Sequence, residues 1–193
     1  MKNKIKWIGA LFLLVNGSWV WAASLPADLK WETNDTDPTF ASPKALPGGT
    51  LNLFIDSFPL TFRTVGPDSN GSFRSFIQDN QLRLISFHPN TGNPIPSLAS
   101  AWAIAPDSQT VYFKLDPRAK WSDGKPVTAD DYTFGYEMMR SKDIKGPWFN
   151  NYYTTEVVAV EKVDDHIILV KAGSRKARLD LLNTTELWPQ PKH

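Results

Sequence analysis

Three histidines and two pairs of adjacent carboxylates are the side chains whose chemistry could bind a metal or move a proton: His88, His166, His193, Asp130-Asp131 and Asp164-Asp165. Their spacing argues against both uses. A zinc site needs ligands brought together at helical or hairpin spacing, and these histidines are scattered among turn-forming residues. They read as exposed turn histidines. Neighbouring residues on a helix point about 100° apart, so Asp130 and Asp131 read as helix-end charges favoured by the dipole. Asp164-Asp165 reads as a hairpin turn. The chain has no cysteine, which excludes disulfides and thiolate sites. Gly48-Gly49 is a lone pair and no phosphate cradle, and no nucleophile elbow occurs. The basic cluster Arg175, Lys176 and Arg178 reads as a solvated helix face, and a net charge of +1 offers no field for nucleic acid. These residues predict no catalytic group, no metal ligand, no cofactor and no nucleic-acid partner. An exported hydrolase would need a placed carboxylate pair or a Ser/His pair.

The elements that could position any site are set around residues 121–134. Asp123-Gly124 is a turn dipeptide, since Gly accepts positive φ and Asp can bond its own backbone. Pro126 ends any strand pairing. Thr128 is a good N-cap. Asp130 and Asp131 follow in the first turn, and Tyr132, Phe134, Tyr136, Met138 and Met139 supply a buried face. A strand is turned sharply into a helix here.

Residues 49–55 read as a buried strand, a nearly continuous apolar run. Residues 73–84 suit an amphipathic helix, with a strand over 82–87 an equal reading of its end. Residues 88–94 and 105–109 are turns by composition. Residues 95–102 read as a short helical or irregular piece. Residues 110–115 alternate as a strand, with Val111, Phe113 and Leu115 on one face. A Gly/Pro/Asn loop over 142–151 carries Trp148 and Phe149. A hairpin joins strands over 155–163 and 167–171, and residues 176–187 form a short helix. With eight tryptophans, fifteen prolines and 41% hydrophobic residues among 193, this is an irregular α+β body.

The amino terminus reads as a targeting segment. Lys2, Lys4 and Lys6 precede an apolar core over residues 7–15, then Asn16-Gly17-Ser18 and a small-residue cleavage point at Ala22-Ala23. The apolar run is shorter than the ~20 residues needed to span a bilayer. Residues 1–22 are therefore a signal peptide, and residues 23–48, with Pro26, Pro38, Pro43 and Pro47, an extended lead-in pinned by Trp31 and Phe40. With no cysteine at the cleavage point, the chain is no lipoprotein. The expected address is the periplasm of a bacterium with two membranes.

Three stretches then match one pattern in order and spacing. They are Pro96-Ser97-Leu98-Ala99-Ser100-Ala101-Trp102, the strand 111–115, and Ala119-Lys120-Trp121-Ser122-Asp123-Gly124-Lys125-Pro126-Val127-Thr128-Ala129-Asp130-Asp131 with Tyr132 and Phe134. Together they resemble the signature of the family 5 extracellular solute-binding proteins, the peptide- and nickel-binding proteins of ABC importers. Gly48-Gly49-Thr50-Leu51, Asn90-Thr91-Gly92-Asn93-Pro94, Val160 to Val170 and Pro189-Gln190-Pro191-Lys192-His193 extend the resemblance over about residues 46–193. The lead-in and Phe62-Arg63 look most like the microcin-uptake oligopeptide-binding branch.

The resemblance implies the N-terminal part of a two-lobed type II periplasmic binding protein. A whole member needs several domains, roughly three times this chain. Residues 49–70 would open lobe one, residues 71–193 would be the small extra α+β domain, and the second lobe is absent. It also implies a non-enzymatic, monomeric component that captures oligopeptides. The partners would be an ABC permease in the inner membrane and its ATPase. Asp56, Ser57, Phe58 and Arg63 fall where lobe one faces the cleft and are the expected ligand-facing residues. The corner at 121–134 would be scaffold. The alternative is a truncated remnant that binds nothing. An unpaired first strand predicts instability and aggregation in either case.

Overall fold

The computed structural model describes residues 25–46 and 48–193. The expected signal peptide and its cleavage point lie outside them. A four-stranded antiparallel sheet of order β3-β4-β6-β5 forms the centre. Its strands are β3 (Ala99–Ile104), β4 (Thr110–Leu115), β5 (Val157–Asp164) and β6 (Ile167–Ala172). Helix α2 (Ala129–Arg140) packs on β5 and β6, and α4 (Arg178–Thr185) on β6 and β4. A small hairpin, β1 (Ile85–Phe87) with β2 (Pro94–Pro96), follows the short helix α1 (Phe73–Asp79). Among the described residues no helix is long and apolar enough to cross a membrane.

Register explains the core. Trp102 opposes Phe113, which opposes Ile168, while Ile104, Val111, Val170 and Val160 make the next row. Directly opposed residues share a face. These rows, joined by Tyr132, Leu181 and Leu182 from the helices, are almost wholly buried, Ile104 only partly. The other face carries Lys114, Glu161 and Lys171; β6 alternates as a sheet with one wet side does, whereas in β4 only Lys114 is exposed and Thr110 and Tyr112 are buried.

Three expectations are corrected. Residues 95–102 are not helical: β2 and β3 are strands, and β3 is fixed by its partner β4. His88 is no exposed turn histidine. It is 4% exposed, its Nε2 lies 2.7 Å from the Pro38 carbonyl, and its Nδ1 accepts the Asn90 and Thr91 N–H groups. Residues 49–55 form no strand. Leu51, Leu53 and Phe54 are exposed, and the segment pairs with none of the described strands, so propensity alone does not make it a strand.

The lead-in is pinned, mainly by its backbone. Glu32 and Trp102 exchange N–H···O bonds of 2.8 and 3.0 Å, capping the outer edge of β3. Asp37 then accepts from Asn34, Thr91 and Asn93. Those bonds hold its carboxyl below the usual range, the Thr91 hydroxyl first among them. Trp31 is partly covered, at 37% exposure, and Phe40, though 63% exposed, meets His88 edge-on at 5.8 Å.

Candidate functional site

The corner before α2 is built as its turn chemistry dictates. Gly124 has φ +87° and its N–H donates to the Trp121 carbonyl. Asp131 does more than face the helix dipole. Buried to 3% exposure, its carboxylate accepts the Thr128 N–H at 2.9 Å, the Lys192 N–H at 3.0 Å and the Trp121 indole N–H at 3.2 Å. Its carbonyl accepts the Gln190 N–H. One side chain therefore ties the turn, the helix start and residues 190–192 together. Asp130 instead points outward to Lys162 and Lys192, at 2.7 and 3.1 Å. Hydrogen bonding to Lys162, then to Lys192, lowers its carboxyl's proton affinity.

Helix α2 presents Tyr132, Tyr136 and Met139 at i, i+4 and i+7 to a cavity of about 230 Å³. The opposite wall comes from α3 (Pro147–Asn151) and the π-helical turn Tyr152–Glu156. Trp148 stacks on Tyr152 with centroids 5.2 Å apart and planes 12° apart. Phe149 and Tyr153 meet these rings edge-on. Gly173 lets the π-turn approach β6: a Cβ there would lie 1.8 Å from the Thr155 carbonyl oxygen. Such turns are rare and recur at functional sites.

The remaining wall is polar. Gln78, Gln81, Asn183 and Gln190 offer amides. Arg83 pairs with Glu186 and lies 4.0 Å above the Trp188 ring. Burial pushes the Glu186 carboxyl up, with Arg83 opposing it. Burial also pushes the Tyr152 phenol up to about 12, and raises that of Tyr153. The Tyr132 hydroxyl and the Trp188 indole N–H are buried without partners. No nucleophile–base pair lines this cavity. Its rings can stack on an apolar group, and its amides can fix polar edges beside it.

The sequence-predicted residues lie elsewhere. Ser57 and Phe58 border an open hollow with residues 68–74, whereas Asp56 and Arg63 do not line it. Phe58 is 91% exposed. Arg63 donates to the Thr61 hydroxyl and the Pro67 carbonyl. His166 and Asp164-Asp165 sit at the β5–β6 turn. Lys176 and Arg178 of the basic cluster pair with Glu156 and Glu32. Among the described residues no three His, Asp or Glu side chains gather as a metal site. The aromatic cavity itself was not anticipated. The only signal for it was the density of rings at Trp148-Phe149 and Tyr152-Tyr153.

A family model, bacterial extracellular solute-binding proteins, family 5 Middle, matches residues 93–191. That is half of the chain, and it spans the sheet, the corner and most of the cavity wall. The chain belongs to the family 5 bacterial extracellular solute-binding proteins. It is 30% identical over 176 residues to a Deinococcus radiodurans protein named "probable ABC transporter-binding protein", covering 90% of this chain and 26% of that protein. A "probable peptide-binding protein YejA" of Agrobacterium fabrum is 31% identical over 119 residues, 60% of this chain and 18% of that one. The crystal structure of Haemophilus influenzae OppA complexed with RPPGFSPFR superposes with a TM-score of 0.54 at 26% identity. It covers 64% of this chain and 27% of OppA. The chain thus has the α+β fold of part of a type II periplasmic binding protein and spans about a fifth to a quarter of the length of these relatives.

Proposed function

We propose that this chain is the ligand-contacting N-terminal part of a periplasmic substrate-binding component that captures oligopeptides for an ABC importer. The family match over residues 93–191 carries the reading. The OppA–peptide complex and the YejA relative favour peptides among the solutes such proteins bind. Residues 1–22 direct export, residues 49–70 open lobe one, and residues 71–193 form the extra domain beside the ligand. The exposed apolar stretch 51–62 is the surface that lobe one would use. Asp56, Ser57, Phe58 and Arg63 face the ligand, which then passes to the permease and its ATPase. The cavity lined by Trp148, Tyr152 and Tyr153 receives a peptide side chain, since aromatic walls supply contact area at little entropic cost. Closure of a second lobe over the peptide would tighten a contact that these residues make by themselves.

Native mass spectrometry of the 193-residue chain mixed with a pool of tri- to pentapeptides tests this. Retained peptides enriched in apolar side chains are expected, and Trp148→Ala, at a side chain 65% exposed, should lower retention without unfolding the chain. A folded chain that retains none would favour the alternative, a remnant that binds nothing.

A further inference from the structure

Next to the aromatic cavity lies a second, open hollow of about 470 Å³. Gly66, Asn70, Arg74, Lys145 and Gly146 line it, and Trp148 with Phe149 forms the wall that it shares with the cavity. Two cations converge here and no acid lines the hollow. Among the described residues neither Arg74 nor Lys145 has a carboxylate within ion-pair distance; other surface cations are also unpaired, and what marks these two is that they line one acid-free hollow together. Asp68 of the adjoining turn lines the neighbouring hollow and not this one.

Arg74 is held but not satisfied. One terminal nitrogen donates to the neutral Asn70 side chain at 2.9 Å. Its guanidinium lies 5.4 Å from the Phe149 ring centroid, a distance at which the ring face attracts the cation. Its Nε is buried with no hydrogen-bond partner, so a ligand in the hollow would meet the terminal nitrogens, and the end of a guanidinium fork matches a carboxylate in bidentate geometry. Lys145 adds a second positive charge on the same hollow.

We propose that Arg74 and Lys145 form a carboxylate-binding subsite for a solute whose free carboxylate adjoins an apolar or aromatic group. The carboxylate sits between the two cations. The adjoining group crosses the Trp148–Phe149 wall into the aromatic cavity. The inference rests on the peptide-binding reading and deepens it: a peptide enters this part of the protein by its carboxyl end.

Calorimetric titration of the 193-residue chain with Ala-Ala-Phe as free acid and as C-terminal amide tests it. A charge-assisted pair predicts that the acid binds about tenfold more tightly than the amide. Arg74→Gln and Lys145→Gln should each remove most of that ratio while leaving amide affinity nearly unchanged. Lys145 makes no hydrogen bond to lose, so its variant keeps the test sound if Arg74→Gln misfolds. Lys114→Gln, on the wet face of the sheet, should change nothing. Equal affinity for acid and amide overturns the subsite and leaves peptide binding standing, as does a ratio that survives both substitutions. Binding of neither form overturns both.

Discussion

Asp130 and Asp131 are neighbours of identical chemistry, and substituting each by alanine should have very different consequences. Asp131→Ala removes the acceptor of three N–H groups, from Thr128, Lys192 and Trp121. Two of these are backbone groups with no other acceptor at hand. Hydrogen bonds to a charged acceptor contribute ~1.5–3 kcal/mol each. The longest contact, at 3.2 Å, falls at the low end, and relief from dehydrating a buried carboxylate offsets part of the loss. Because the three bonds share one partner they do not add fully. A net loss of about 3–5 kcal/mol follows, a large share of the ~5–15 kcal/mol of a typical domain. Asp130→Ala removes only half-exposed ion pairs with Lys162 and Lys192, worth below ~1 kcal/mol in total. Urea titration followed by tryptophan fluorescence and far-UV dichroism would measure both. Asp131→Asn should fall between them, since one oxygen remains to accept while its amide meets an N–H donor. A loss below ~1 kcal/mol for Asp131→Ala, or equal losses at the two positions, would refute the assignment of Asp131 as the tie of the corner.

Other perturbations follow from the same structure. Gly173→Ala should destabilise by more than ~2 kcal/mol in a thermal melt, since its Cβ meets the Thr155 carbonyl, whereas Gly135→Ala, whose Cβ meets the Gln190 Cγ at 3.1 Å and needs a shift of only a few tenths of an ångström, should cost less, about 1 kcal/mol. The Tyr152 phenol is raised by burial to about 12, so its contribution is intact below the unfolded value of ~10 and is lost as pH rises through about 12. With partial exposure discounted that amounts to at most about 2 kcal/mol, and Tyr152→Phe should flatten alkaline unfolding curves. On the acid side, the Arg118 guanidinium holds Asp116 down to about 2. That stability is present above the unfolded value near ~4 and lost as pH falls through about 2, so Asp116→Asn should flatten the acid limb. Finally, Leu53→Lys with Phe54→Lys should suppress light scattering on heating without lowering the melting midpoint, since both side chains are exposed.

How much of this was legible depends on how local each feature is. The corner at 121–134 was readable because Asp123-Gly124, Pro126 and Thr128 each act within a few residues. Strand β4 was readable from its alternation. Strand β3 was hidden, because Ala99, Ala101 and Ala103 blur the apolar pattern and its register is set by β4. Residues 49–55 carried a strand's propensity but pair with no described strand, and propensity alone did not make a strand. The burial of His88 depends on Pro38, fifty residues earlier. The cavity draws its rings from α2, α3, the π-turn and residues 183–190, so no single stretch announces it. The family signature falls on the corner and the sheet, away from the aromatic cavity's outer wall, and says more about lineage than about ligand.

The central claim is that this chain holds peptide through its own residues. Fluorescence titration of its tryptophans with a defined apolar peptide, Ala-Phe-Ala, in the folded 193-residue chain tests it most directly. Trp148 and Trp188 line the cavity, so a saturable spectral change that Trp148→Phe reduces and Tyr152→Ala weakens is predicted. No saturable change at millimolar peptide, from a chain whose urea transition is cooperative, would contradict it.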